Sequence, residues 1–165
     1  MKIYFTKNEH WYSKLLMWLE GSTMSHVGLG FFDDLGLVVD CTKPFSKVYH
    51  VDHWFSKYQI VQEIDVPLSP EVELLAYKRV VDTCLLKPYD WGAYAFAWVS
   101  MVRKVLFGTP YPDTNPWSSD DGFWCTEIFV PVVDILKDLD ADLSGIDLAS
   151  YSPQMVFDKL VTQGW

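Results

Sequence analysis

The sequence predicts a single α+β domain in which helices pack against an antiparallel β-sheet. The chain has 165 residues, 50% of them hydrophobic, which is enough for one domain with its own core. Residues 1–66 contain mostly short strand-like segments separated by turn residues, whereas the rest of the chain has helical patterns. Strands that precede helices in this way are typical of a sheet that is covered by helices on one side.

The first half of the chain contains five predicted strands and one predicted helix. The strands are expected over residues 2–6, 25–32, 36–42, 46–51 and 58–66. Asn8 is predicted to cap a helix over residues 9–19, and Gly21 is predicted to end it. Four apolar residues share one face of this helix: Trp11, Leu15, Trp18 and Leu19.

The second half of the chain is predicted to be helical. Helices are expected over residues 70–86, 91–107 and 125–139, and from residue 153 onward. Two of them have Ser-Pro starts, Ser69-Pro70 and Ser152-Pro153, in which serine caps the helix and proline takes the first helical position. The segment 91–107 is almost entirely apolar, so we expect it to be the buried central helix.

Composition and charge exclude several classes of function. The net charge of −9 disfavours a nucleic-acid partner, because phosphate binding needs clustered Lys and Arg, and it equally disfavours docking on anionic lipid. Three widely spaced cysteines leave at least one thiol free, which fits a reducing compartment. The first residues lack the apolar stretch of a signal peptide, and no apolar run is long enough to span a bilayer. We therefore expect a cytoplasmic protein without a transmembrane segment.

Two short motifs point to thiol chemistry. Cys125 opens a predicted helix, where free backbone N–H groups and the positive end of the helix dipole favour a thiolate. His26 starts a predicted strand and could take the thiol proton and later pass it to a leaving group. Alternation along the strand places Gly28 and Gly30 on the His26 face, which leaves room for a helix end or a substrate.

The order of these motifs resembles that of a known family. Four segments carry the resemblance: Ser25-His26-Val27-Gly28, Pro88-Tyr89-Asp90, Cys125-Thr126-Glu127 and Ser152-Pro153. They look like those of the circularly permuted NlpC-like hydrolases, which are papain-fold thiol enzymes that include the YiiX-like group. In that family a strand carrying histidine precedes a helix that opens with Cys-Ser-Glu, and Thr126 replaces the serine here.

The resemblance implies a permuted papain-like fold and a catalytic unit. Cys125 would be the nucleophile, His26 the base, and Asp40 the polar third residue on the following strand. Many members of the family cleave peptide or amide bonds, often in cell-wall peptides. Relatives also include acyltransferases of the lecithin:retinol type, so the fold does not determine the substrate.

Several residues have a structural interpretation beside the functional one. Tyr89 could donate a hydrogen bond to an oxyanion, or it could simply pack at the start of an apolar helix. Asp40 could orient the histidine or only end its strand. Glu127 could act only on the helix end, by satisfying its N–H groups. Cys41 and Cys84 are expected to be buried core residues.

A metal site is the main rival chemistry. His50 and His53 form a His-x-x-His pair, but this spacing differs from that of the helical zinc-protease motif and no third ligand is evident. We therefore expect neither a metal nor a cofactor.

The sequence favours a cysteine peptidase or amidase that acts on a peptide or amide substrate. One alternative is a thioesterase or acyltransferase acting on lipid, which a long apolar groove beside Cys125 would favour. Another is an inactive binding module, which a separation of Cys125 and His26 far beyond hydrogen-bond reach, with neither side chain exposed, would favour. The oligomeric state stays open at this point.

Overall fold

A five-stranded antiparallel sheet organises the fold. The computed structural model describes residues 1–119 and 121–165. The strands are β1 (Lys2–Lys7), β2 (His26–Phe31), β3 (Leu37–Asp40), β4 (Lys47–His50) and β5 (Gln59–Asp65). Their order across the sheet is β4-β3-β2-β1-β5, and every neighbouring pair is antiparallel. The predicted α+β class with an antiparallel sheet is thus confirmed.

Helices follow the pattern that the sequence predicted, with a short extra one between β4 and β5. They are α1 (Trp11–Glu20), α2 (Val51–Phe55), α3 (Pro70–Cys84), α4 (Trp91–Phe107), a 3₁₀ helix (Cys125–Val132), α5 (Val133–Lys137) and α6 (Pro153–Thr162). The Ser69 and Ser152 hydroxyls accept hydrogen bonds from backbone N–H groups of the first turns of α3 and α6. Within the described residues, no helix has the length and apolar character needed to cross a membrane.

The segment after Cys125 differs from the single α-helix that we predicted over residues 125–139. It is a 3₁₀ helix up to Val132 and only then a short α-helix that ends at Lys137. Pro131 lies inside the 3₁₀ helix, where it lacks an N–H and would clash with the carbonyl four residues earlier in an α-helix. The tighter geometry of this turn is compatible with the proline.

The two faces of the sheet are covered differently. Val27, Leu29 and Phe31 point into the main core, which the helices of the second half cover. The opposite face carries Gly28 and Gly30, where Trp54 and Tyr4 pack so closely that an added Cβ would lie 2.8 Å and 2.5 Å from their rings. The expectation that this glycine face admits a helix end or substrate is therefore wrong, because aromatic side chains occupy the space.

Helices α1 and α4 are more exposed than the sequence suggested. Helix α1 begins after His10 without a side-chain cap, and the Asn8 carboxamide instead accepts a hydrogen bond from the His10 N–H at 3.2 Å. Trp11 and Trp18 are 74% and 73% exposed, so the predicted apolar face of α1 is turned mainly to solvent. Helix α4 is not a buried central helix, because it buries only one narrow face: Ala93, Ala97, Ser100 and Met101.

Candidate active site

His26 and Asp40 meet on the glycine-bearing face of the sheet. His26 is the first residue of β2 and Asp40 the last of β3, and the antiparallel register places both side chains on the same face. The imidazole Nε2 lies 2.5 Å from the Asp40 carboxylate Oδ1. Both side chains are buried, Asp40 completely, so this contact is shielded from water.

Two aromatic residues that the sequence analysis did not single out hold this pair in place. The indole Nε1 of Trp54 donates a hydrogen bond of 2.9 Å to the second carboxylate oxygen of Asp40. The ring of Tyr58 stacks on the His26 imidazole with 4.8 Å between centroids. Asp40 thus accepts from His26 and Trp54, and the Tyr58 ring fixes the plane of the imidazole. Trp54 and Tyr58 lie on or just after α2, and no local motif distinguishes them from ordinary core aromatics.

The surroundings of His26 raise its pKa well above the ordinary value of 6.5. Burial works against the charged imidazolium, but the charge of Asp40 and the contacts of the ring with Tyr58, Asp40 and Cys125 together outweigh it. The charged form of the ring is therefore favoured near neutral pH. Since Nε2 is engaged by Asp40, the Nδ1 atom is left for the thiol of Cys125.

Cys125 opens the 3₁₀ helix, and its neighbours fix that turn to the rest of the fold. The Glu127 carboxylate accepts a hydrogen bond of 2.7 Å from the backbone N–H of Trp124, the capping role that we considered for it. The Thr126 hydroxyl lies 2.7 Å from the Leu148 carbonyl oxygen and 3.0 Å from that of Tyr151. The Cys-Thr-Glu segment thus positions a thiol that is itself only 1% exposed.

Burial also perturbs Glu127. Removal from water raises the pKa of this carboxyl to about 7, although its hydrogen bond from Trp124 works in the opposite direction.

Tyr89 reaches the site because short backbone pairings bring three segments together. Its N–H donates to the Pro44 carbonyl at 3.0 Å, and the flanking Pro88 and Asp90 pair with Phe123 at 3.0 and 3.1 Å. The Tyr89 ring packs against Trp124, the residue before Cys125. Burial and then the nearby Cys125 charge raise the pKa of Tyr89 well above its ordinary value, so its hydroxyl stays protonated. The tyrosine therefore both packs, as one interpretation held, and keeps a donor beside the thiol.

Asp90, the next residue, links helix α4 to the loop that contains Ser119. Its carboxylate caps α4 by accepting from the Ala93 N–H at 2.8 Å, and it holds the loop between α4 and the 3₁₀ helix by accepting from the Ser119 N–H at 2.7 Å. A Cβ at Gly92 would lie 1.9 Å from the Trp117 carbonyl oxygen, so the backbone of this loop can approach α4 this closely only because residue 92 is a glycine.

A cavity of about 260 Å³ opens beside the catalytic candidates. His26, Tyr58, Tyr89 and Trp124 line it, and Cys125 follows Trp124 in the chain and lies beside His26. A second, shallower groove of about 490 Å³ adjoins it and is almost entirely apolar. Both share the side chains of Tyr12, Lys43 and Tyr94, and the groove adds four further side chains: Trp11, Leu15, Trp91 and Trp98.

The remaining candidates from the sequence lie apart from the cavity. His50 accepts a hydrogen bond from the Asp52 N–H with its Nδ1 atom, at the start of α2, and both His50 and His53 are exposed. Among the described residues, no cluster of three or more His, Cys, Asp or Glu side chains could hold a metal ion. Cys41 and Cys84 lie together in the core, as predicted.

Comparison with known proteins yields no match to this chain: no family model, no curated protein and no solved structure is similar to it.

Proposed function

We propose that the protein is a cysteine hydrolase that cleaves a peptide or amide bond with Cys125, His26 and Asp40, on a permuted papain-like fold of the NlpC type. One observation carries the proposal. The His26 imidazole lines the cavity, contacts the buried carboxylate of Asp40 and lies beside the thiol of Cys125 at the start of a helix. A nucleophile, its base and an orienting group in contact are the parts that covalent acyl transfer needs.

Acylation is the first step of the proposed mechanism. The Cys125 thiolate attacks the substrate carbonyl carbon, so that a C–S bond forms and the carbonyl oxygen becomes an oxyanion. The backbone N–H of Cys125, at the first position of its helix, and the Tyr89 hydroxyl are the donors for that oxyanion. The His26 imidazolium then gives its proton to the leaving amine as the C–N bond breaks.

Hydrolysis of the acyl-enzyme completes the cycle. Neutral His26 takes a proton from water, the resulting hydroxide attacks the thioester, and the C–S bond breaks to release the acid and the Cys125 thiolate. Asp40 holds the imidazole through Nε2 in both steps and stabilises its charged form, while Trp54 keeps the carboxylate from rotating.

A second candidate function, hydrolysis or transfer of lipid acyl groups, is favoured by one observation. The apolar groove beyond Lys43 is continuous with the catalytic cavity and could hold an alkyl chain. The cavity next to the thiol is mixed in polarity, with Asn8, Ser25 and Thr42 in its wall, which fits a peptide better. The substrate panel below separates the two.

The test is a panel of peptide amides, cell-wall peptides and acyl esters of increasing chain length, assayed with the wild type and Cys125→Ser. We expect turnover of at least one class by the wild type and a loss of at least about 10⁴-fold in the variant, because a serine hydroxyl is far less nucleophilic than a thiolate. Cys84→Ala is the matched control and should retain activity, as should wild type treated with EDTA. Normal rates in Cys125→Ser would overturn the proposal, and loss of activity in EDTA with rescue by zinc would favour a metal mechanism. An inactive binding module would turn over no member of the panel.

A further inference from the structure

Lys43 has an unusual position at the junction of the catalytic cavity and the apolar groove. Its ammonium lies over four aromatic rings, at 3.9 Å from the centroid of Tyr94, 4.4 Å from Trp91, 4.8 Å from Tyr12 and 5.3 Å from Tyr89. Cation–π contacts of this kind hold an ammonium in place where water is partly excluded. The charge of Lys43 is therefore fixed at the mouth of the site.

This ammonium lacks the usual counter-charge. The ion pairs formed by the described residues include no carboxylate partner for Lys43 or for Lys57, which lines the same cavity. Burial lowers the pKa of Lys43, and the nearby Cys125 thiolate opposes that shift only in part. Rings alone replace the carboxylate that a partly buried lysine ordinarily has.

The wall of the cavity has a charge opposite to that of the whole protein. The chain carries 22 acidic and 13 basic side chains, for a net charge of −9. Yet the ionisable side chains that line the described cavity are Lys43, Lys57, two histidines and four tyrosines, with no Asp or Glu. A cationic cavity in an acidic protein attracts anions selectively, because its field is focused between low-dielectric walls.

We propose that Lys43 and Lys57 form an oxyanion-binding subsite beside Cys125, so that the substrate carries a carboxylate or phosphate near its scissile carbonyl. The proposal rests on the function proposed above, because it assigns specificity to that site. The rings over Lys43 could instead suggest a cage for a substrate cation. The lysine itself fills that cage, however, and a second cation would be repelled.

The test compares two alkylating reagents of nearly the same size at Cys125, anionic iodoacetate and neutral iodoacetamide. The measured quantity is the ratio of their rate constants, divided by the same ratio for N-acetylcysteine. Because the His26 imidazolium also attracts anions, the informative result is the change when a lysine is removed. We expect the ratio to fall about fivefold or more in Lys43→Met, to fall less in Lys57→Met, and to persist in Lys43→Arg. Lys78→Met, an exposed lysine on α3, is the control and should leave the ratio unchanged.

Added anions identify the group that binds. Succinate should slow the alkylation of wild-type Cys125 by iodoacetamide if the subsite takes a carboxylate, and inorganic phosphate should slow it if the subsite takes a phosphate. Succinamide is the neutral control and should have no effect. An unchanged reagent ratio in both Lys43→Met and Lys57→Met, with Cys125 still reactive, would overturn the subsite and leave the proposed function standing. A wild-type Cys125 that reacts with neither reagent would overturn the proposed function itself.

Discussion

Cys125 and Cys41 are buried to nearly the same degree, yet their surroundings differ in kind. Cys41 is completely buried and packs against Cys84. The contact with Cys84, followed by burial, raises the pKa of the Cys41 thiol well above its ordinary value, so it stays protonated. Cys125 is 1% exposed but lies near the His26 imidazole and the Lys43 ammonium, both of which line a cavity.

We propose that this difference, rather than burial alone, distinguishes a reactive cysteine from a structural one. Reactivity requires a group that accepts the proton, a charge that stabilises the thiolate and a path for the reagent. In the function proposed here, His26 is the proton acceptor and Lys43 the stabilising charge for Cys125, whereas the surroundings of Cys41 favour the neutral thiol. The predictions below change the surroundings of Cys125 one contact at a time.

Removal of His26 should have the largest effect on the difference in alkylation rate between Cys125 and Cys41. In His26→Ala, we expect the alkylation rate of Cys125 by iodoacetamide to fall by about 10- to 100-fold near neutral pH, because the group that takes the thiol proton is gone. The rates of Cys41 and Cys84 should stay unchanged, which peptide mapping of the alkylated protein measures. His53→Ala, an exposed histidine on α2, is the matched control. An unaltered Cys125 rate would show that the imidazole does not activate it.

Removal of the Asp40 charge should lower the pKa of His26. In Asp40→Asn the charge that favours the imidazolium is lost while burial still opposes it, so we expect the His26 pKa to fall from its raised position. Titration of the imidazole by NMR measures this, with the exposed His50 and His53 as internal references. A pKa that does not change would show that Asp40 does not govern the base.

The same variant should also change stability in a pH-dependent way. A histidine with a raised folded-state pKa stabilises the fold fully below about pH 6.5, its unfolded value, and this contribution is lost as pH rises through the folded-state pKa. Asp40→Asn should therefore lower the free energy of unfolding most at low pH, by on the order of 1–3 kcal/mol. Part of this loss comes from the imperfect pairing of the buried Trp54 N–H. Urea unfolding across this pH range tests it. A loss of stability that grows with pH would contradict this account.

The smallest expected effect concerns Glu127, which fixes the turn before Cys125. Its pKa is raised to about 7 by burial, so the folded state binds this proton more tightly than the unfolded state does. That contribution is present below pH 4.5 and is lost as pH rises through about 7. Glu127→Gln keeps an acceptor for the Trp124 N–H and removes the titration, so its stability should vary less with pH. If the free energy of unfolding varied with pH in the same way in wild type and Glu127→Gln, the raised pKa of Glu127 would be contradicted.

Local pattern was enough to predict the residues that lie on regular elements. The alternation along β2 and the helix start at Cys125 follow from residue type and spacing, and they place His26 and Cys125, whereas Asp40 was suggested only by the family resemblance. Pro131 also carried a readable signal against a continuous α-helix, which our prediction over residues 125–139 did not use.

The residues that the sequence analysis missed depend on contacts made by folding. Trp54 reaches Asp40 across 14 residues, and the rings around Lys43 come from α1, α4 and the loop between α3 and α4. Sequence periodicity does not indicate such long-range contacts. The exposure of Trp11 and Trp18 was missed for a related reason. An apolar pattern shows which residues share one face of a helix, but it does not show whether another element covers that face.

The most direct test of the central claim is the alkylation of the folded wild-type protein with limiting iodoacetamide near neutral pH, followed by intact-mass analysis and peptide mapping. Our account predicts a single modification located at Cys125, with Cys41 and Cys84 labelled only after unfolding. Equal labelling of the three cysteines in the folded state, or a Cys125 that stays unmodified until the protein unfolds, would contradict it.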